Sequence, residues 1–294
     1  MRVQSMKAEH FTGAGGVRLT ADVGGDRTGM PVLLLHGGGQ TRASWGRTAA
    51  TLADRGCHVI ALDARGHGES DWAPAEDFYR LDDFIGDLKA VISTLDQAPA
   101  LVGASLGGVT SLVTIGESPG AIARSLVMVD VTPRINPAGS AAINRFMTGN
   151  PDGFATLEEA IDAVAAYLPH RPRPKDGSGL MRNLRRRADG RLHWHWDPLF
   201  LACAQKHKLA DRERMLAAAR RVSVPTLLVR GTESEIVTDE AVAEFRDALP
   251  AAELAEIPGA HHMVAGDRND AFSATVIDFL LRDAPCPIAA GRVA

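Results

Sequence analysis

Apolar and polar positions along the chain follow two alternating rhythms. Short runs rich in Val, Ile and Leu occupy residues 17–23, 32–35, 59–63, 100–103, 126–130, 226–230 and 254–257, and residues 6–12 add an edge strand. Between them lie segments 45–55, 81–95, 107–116, 240–249 and 270–282, in which apolar residues recur every three or four positions. The short runs read as strands buried on both faces, the longer segments as amphipathic helices. Within 81–95, for example, Phe84, Leu88, Val91, Ile92 and Leu95 form one stripe suited to packing on a sheet. Strand and helix in repeated alternation predict an α/β fold built on a mostly parallel sheet flanked by helices.

The alternation breaks at about residue 133, where Pro, Gly and Arg become concentrated and helical pieces such as 157–168 appear with no strand between them. This predicts an insertion over 133–210, between a first core segment, 1–132, and a second, 211–294. Within it, PHRPRPKDGSG at 169–179 reads as an exposed connector, and NLRRRADGR at 183–191 as a basic helix ending in a turn, its arginines on a solvated face. RLHWHWDPLF at 191–200 sets Leu192, Trp194 and Trp196 against His193, His195 and Asp197. That alternation suits either the insertion's own core or the wall of an apolar pocket.

Composition narrows the function classes. The chain has 294 residues, 45% hydrophobic and 23% charged, with a formal net charge of -4. Such a balance leaves no positive excess to neutralise a phosphate backbone, so the expected partner is a small molecule and not nucleic acid. The opening MRVQSMKAEH has no apolar core, and no stretch reaches the roughly 18 apolar residues of a membrane span, so a cytoplasmic location without a membrane span is expected. Cys57, Cys203 and Cys286 form no CxxC pair, which fits reduced thiols and no metal site. Neither a metal nor an organic cofactor is expected, and the oligomeric state, monomer or homodimer, stays open.

Candidate chemistry begins at LVGASLGGVT, residues 101–110, where a strand end runs into G-x-S-x-G and then a helix. This is the layout of a nucleophile elbow with Ser105 at its tip. A serine at its ordinary pKa is a weak nucleophile and needs a base and a carboxylate to orient that base. The strand at 254–257 runs into PGAHHMVAGD, which supplies His261 and His262, and the strand at 226–230 runs into GTESEIVTDE, which supplies carboxylates. Ligands of open α/β sheets bind beyond the carboxyl ends of the strands, so these groups are expected to meet.

At this point the chain resembles the α/β-hydrolase fold superfamily, as a serine esterase or lipase-like member with a helical cap. The resemblance spans nearly the whole chain. It rests on VLLLHGGG, VIALDARGHGES, GASLGG, VRGTESEIV and PGAHHMV, in that order. It implies an eight-stranded, mostly parallel sheet with a helical cap at 133–210, and Ser105 as nucleophile of an acyl-enzyme mechanism. It implies His262 as the base, His261 taking a position usually filled by a small residue. The backbone N–H groups of Gly38 and Leu106 are expected to form the oxyanion hole. The acid is expected at Glu235, where the family usually carries Asp, with Asp130 at the end of the preceding strand as the alternative and Glu233 or Asp239 behind them. Asp63, His67 and His36 are expected to brace loops. Gly39, Trp194, Trp196 and Met263 are expected to contact substrate.

A serine at the elbow points to carboxylic esters, thioesters or lactones. It points away from the dehalogenase and epoxide hydrolase chemistries of this fold, which need an aspartate there. Two alternatives stay beside carboxylesterase: a carbon–carbon bond hydrolase or enol-lactonase of the same fold, and a non-catalytic receptor that keeps the pocket.

Overall fold

The computed structural model describes residues 6–74, 78–173 and 177–282. Cys286, part of the 169–179 connector and the end of the second core segment lie outside these residues. In chain order the core elements are β1 (Lys7–Thr12), β2 (Arg18–Gly25), β3 (Pro31–Leu35), α1 (Gly46–Asp54), β4 (His58–Leu62), α2 (Leu81–Ile92), β5 (Ala100–Ala104), α3 (Leu106–Glu117) and β6 (Ser125–Val129). The chain then leaves the sheet for α4 (Pro137–Thr148), α5 (Leu157–Tyr167), β7 (Leu184–Arg186), β8 (Leu192–Trp194) and α6 (Pro198–His207). It returns through α7 (Arg212–Ala219), β9 (Thr226–Gly231), α8 (Asp239–Ala248), β10 (Glu253–Ile257), α9 (Val264–Asp267) and α10 (Asn269–Leu281).

The eight strands of the main sheet run in the order β1-β2-β4-β3-β5-β6-β9-β10. β1 and β2 pair antiparallel, β2 meets β4 antiparallel, and every remaining pair is parallel. Successive side chains of the central strands point to opposite faces, and each face has its own core. Leu33, Leu35, Ile60, Leu62, Leu101, Met128 and Leu228 pack under α2, α3, α7 and α8. Val32, Leu34, Val59, Val102, Val127 and Val229 pack under α1 and α10. Doubly covered strands need apolar residues at every position, which is why these runs stand out in the sequence.

The order of the strands reverses at β3, whose neighbours are β4 on one side and β5 on the other. The loops after β3 and β5 therefore diverge to opposite faces and leave a crevice between them. α3, which starts in that crevice, is buried from Leu106 through Gly116.

The chain between β6 and β9 has a small core of its own, made of Phe154, Ala160, Leu184, Leu192, Trp194 and Trp196. Its helices start on side-chain caps. Asn136 accepts from the Ala138 N–H (3.1 Å), Thr156 from Glu159 (3.2 Å) and Asp197 from Leu199 (3.0 Å), each such cap contributing about 1 kcal/mol. The expected basic helix at 183–191 is instead part of a hairpin, with Leu184 opposite Trp194 and Arg186 opposite Leu192. Gly190, at φ 79°, makes the turn. Leu184, Leu192 and Trp194 bury their side chains only with strand periodicity, and that outweighs the helix propensity of the arginines. Among the described residues no helix is long and apolar enough to cross a membrane.

Arg65, fully buried in the loop after β4, is held by a bidentate pair to Asp87 of α2 at 2.6 and 2.7 Å. It also donates to the carbonyls of Phe78 and Ala14. Burial raises the Asp87 pKa, against the pull of Arg65. Removing one partner of such a pair strands the other charge in the core. Asp87→Asn is therefore expected to cost about 3–5 kcal/mol of stability in urea denaturation; a loss under 1 kcal/mol would show that Arg65 is satisfied without the carboxylate.

Candidate active site

β5 ends at Ala104 and α3 begins at Leu106, so a single residue, Ser105, makes the turn, at φ 46° and ψ -112°. The turn closes because two glycines let α3 descend onto the sheet. A Cβ on Gly103 would lie 2.3 Å from the Gly107 carbonyl oxygen, and one on Gly107 would lie 2.3 Å from that of Leu35. The loop after β3 approaches equally closely, since a Cβ on Gly37 would stand 3.2 Å from the Cβ of Ser105.

In that loop nearly every N–H is already engaged. Gly37 donates to Gln40 Oε1 (3.1 Å), Gly39 to His67 Nε2 (3.1 Å) and Gln40 to the Gly37 carbonyl (3.1 Å). The Gly38 N–H donates to no group among the described residues. The Leu106 N–H sits in the first turn of α3, where a helix offers no carbonyl four residues back. Both residues line the cavity that holds Ser105.

Three buried histidines brace this loop and the one after β4. His36 receives the Ala64 N–H on Nε2 (3.0 Å) and donates from Nδ1 to the Gly37 carbonyl (2.8 Å). His67 donates from Nδ1 to the Arg65 carbonyl (3.0 Å), so its Nε2 is the acceptor for Gly39. His195, from the segment after β8, receives the Gly68 N–H on Nδ1 (2.8 Å). Each works as an acceptor only when neutral. Burial holds all three below the ordinary histidine pKa, His67 well below and His195 at about 3. Asp63 completes the brace, accepting from the Arg42 N–H (2.7 Å) and the Glu69 N–H (2.9 Å).

His262 lies on the loop after β10 and lines the same cavity. Its Nδ1 is 2.8 Å from Oδ2 of Asp130, the residue that follows β6 and takes φ 49°. Asp130 is fully buried, and its carboxylate also accepts from the Gly231 N–H (3.1 Å) and the Ser234 hydroxyl (2.6 Å). The preference for Glu235 as partner of His262 is thus corrected. Glu235 is on the outer side of the loop, where its Oε1 meets His261 Nδ1 (2.6 Å) and its Oε2 accepts the His262 backbone N–H (3.3 Å). Burial works to raise the Glu235 pKa, but hydrogen bonds from its own N–H, the His261 ring and the His262 N–H hold it below the ordinary value. Among the further alternatives, Asp239 pairs with Arg230.

The histidine loop is fastened to the segment between β6 and β9. Arg171 Nε donates to Asp267 (2.5 Å), which accepts the His261 N–H (2.9 Å), and the His170 and His261 rings stack with centroids 3.6 Å apart. Nothing in the connector's composition announced this role.

The cavity holds about 710 Å³ and runs from Ser105 and His262 to the walls of α4 and α6. Of the residues expected to contact substrate, Gly39, Trp196 and Met263 line it. Trp194 does not; it stacks on Trp196 (centroids 5.0 Å apart) and on the edge of Phe154, inside the small core. Phe200 and Ile143, which periodicity did not single out, also form the wall. Among the described residues no three His, Cys, Asp or Glu are grouped as metal ligands.

Comparison with known proteins adds a family. A family model described as the alpha/beta hydrolase family matches residues 32–275. A 2-(acetamidomethylene)succinate hydrolase of Mesorhizobium japonicum is 32% identical over 257 residues, which cover 84% of this chain and 86% of that protein. Esterase Rv0045c of Mycobacterium tuberculosis is 29% identical over 233 residues, covering 73% of this chain and 70% of the other. Among solved structures, an E-2-(acetamidomethylene)succinate hydrolase superposes with a TM-score of 0.80 at 26% identity, over 94% of this chain and 99% of that one. An enol-lactonase from Burkholderia xenovorans LB400 shares the fold, with a TM-score of 0.70 at 22% identity over 92% of this chain and 99% of that one.

The buried histidines make stability depend on pH. Their folded pKa values lie below the ordinary 6.5, so between the two values the unfolded chain binds more protons. The stabilisation is complete above pH 6.5 and falls as the pH drops toward 3. One such histidine costs about 2 kcal/mol between pH 6.5 and 5.0. Melting temperature is expected to fall over that interval, and less steeply in His195→Gln; equal slopes in the two proteins would refute the account.

Proposed function

Since the chain belongs to the alpha/beta hydrolase family, we propose that it hydrolyses carboxylic esters through an acyl-enzyme on Ser105. The observation that carries this reading is the 2.8 Å contact of His262 with buried Asp130, in the cavity that Ser105 enters from a turn at positive φ. Asp130 fixes the His262 tautomer with the proton on Nδ1, which leaves Nε2 as the acceptor for the Ser105 proton. The Ser105 oxygen adds to the carbonyl carbon, and the oxyanion receives the N–H groups of Gly38 and Leu106. The dipole of α3 adds to their effect. Protonated His262 then delivers its proton to the leaving alcohol. Water, deprotonated by the same ring, releases the acid.

Engagement of the flanking N–H groups supports Gly38 as the donor of its loop. The segment 133–210, whose α4 and α6 wall the cavity, fills the place of a cap that shields the acyl-enzyme from water. Val109, Val131, Ile135, Ile143, Phe146, Phe200 and Leu201 give the cavity a largely apolar surface, which suits an apolar acyl or alcohol group. The succinate in the name of the Mesorhizobium relative denotes a substrate with two carboxyl groups. Among the described residues the lining carries only Lys208 and His262 as groups able to bear positive charge, so a dicarboxylate is poorly matched.

Ser105→Ala is expected to lower kcat on short p-nitrophenyl esters by at least about 1,000-fold and to abolish labelling by a fluorophosphonate. Turnover that persists without Ser105 would refute the nucleophile. Asp130→Asn is expected to lose about 1,000-fold or more in kcat, and Glu235→Gln less than about tenfold. The reverse ranking would return the acid to Glu235.

A further inference from the structure

Three non-glycine residues among those described adopt positive φ: Ser105, Asp130 and Lys208. The conformation crowds Cβ against the backbone, persists only where the surrounding structure holds it, and clusters at functional sites. Ser105 and Asp130 are accounted for by the elbow and by the partner of His262. Lys208, at φ 44° and ψ 63°, closes α6 in the left-handed position that helices ordinarily give to Gly or Asn. The backbone alone would be served better by glycine.

Lys208 lines the same cavity as Ser105 and His262, yet it is exposed, so it stands where the cavity meets solvent. Apart from Ser105 and His262, the other polar side chains of the lining are uncharged: Gln40, Ser140, Asn144 and Tyr167, whose pKa burial and the Glu235 carboxylate push up to about 12. Arginines of the same segment and of α7 do not line the cavity and are committed to carboxylates, Arg171 to Asp267, Arg173 to Glu158 and Asp162, and Arg212 to Glu244. Among the described residues no carboxylate is paired with Lys208.

We propose that Lys208 receives a single carboxylate at the end of the substrate remote from the scissile carbonyl. The preferred ester is then apolar beside Ser105 and Phe200 and negatively charged at its far tip. A lone ammonium on a flexible stem suits a monoanion; a phosphate dianion is better met by the two-pronged donors of arginine or by several N–H groups. Exposure at the mouth keeps both partners partly hydrated, so the pair avoids the desolvation penalty of a buried one. The inference rests on the serine-hydrolase reading for its chemistry but not for its binding.

The test compares p-nitrophenyl esters of one chain length, one ending in a methyl group and one in a carboxylate, at low ionic strength. The wild type is expected to favour the carboxylate ester. In Lys208→Met the ratio of kcat/KM for the charged over the neutral ester is expected to fall about fivefold through KM, the size of a partly exposed ion pair. Added salt is expected to shrink the same ratio in the wild type. Lys208→Gly is expected to lose the preference and to raise the melting temperature, because glycine takes this φ without crowding. An unchanged ratio in Lys208→Met overturns the proposal. Calorimetric binding of the two esters to Ser105→Ala protein separates the two readings. If the wild type hydrolyses neither ester while a Lys208-dependent preference in binding persists, the hydrolase reading fails and the anion site stands. If binding also shows no preference, the anion site fails.

Discussion

The close approach of α3 to the sheet is the constraint on which the site depends. Gly103 and Gly107 let helix and strand come nearer than any side chain permits, and the chain can then reverse direction within one residue. That residue is forced to positive φ, which lifts its side chain out of the sheet and into the crevice where strand order reverses. The same approach brings the Gly37 loop against Ser105 and aims the start of α3 at the cavity. The placements of Ser105, the glycine loop and the start of α3 thus follow from one steric fact.

Around that turn the polar groups are buried and almost entirely reserved for structure. His36, His67 and His195 each accept a backbone N–H, and each is kept neutral by the surroundings that make it a good acceptor. His195 comes from the segment between β6 and β9, so this segment helps hold the loop after β4 as well as forming the far wall of the cavity. Arg171 and the stacked pair His170 and His261 tie it equally to the loop of His262. The wall of the cavity and the elements that carry Ser105 and His262 are therefore one connected assembly.

Asp130 and Glu235 illustrate how carboxylates of similar chemistry are given different work. Asp130 follows a central strand, is fully buried, and finds Gly231, Ser234 and His262 within reach, so its charge is fully solvated by the protein. Glu235 follows a strand nearer the sheet edge and is half exposed; it braces the outside of the histidine loop. Ser234, beside Glu235 in sequence, donates to Asp130 in space. The turn after β9 therefore still supports this arrangement, by bracing Asp130 and not by pairing with the His262 ring.

The sequence by itself determined the sheet, the helices around it and the elbow. Strands covered on both faces must be apolar throughout, and a nucleophile turn must carry glycine on either side; both constraints act on neighbours in the chain and leave a local mark. His262 was legible for the same reason, since its loop immediately follows a strand. Only the tertiary structure decided which of Asp130 and Glu235 meets the His262 ring, because reach to an imidazole more than a hundred residues away depends on which strands lie side by side. It also decided that Trp194 packs inward while Trp196 lines the cavity, and that the arginine-rich stretch at 183–191 belongs to a hairpin. These outcomes turn on burial against partners distant in sequence, and alternation along one segment says which residues share a face but not what that face meets.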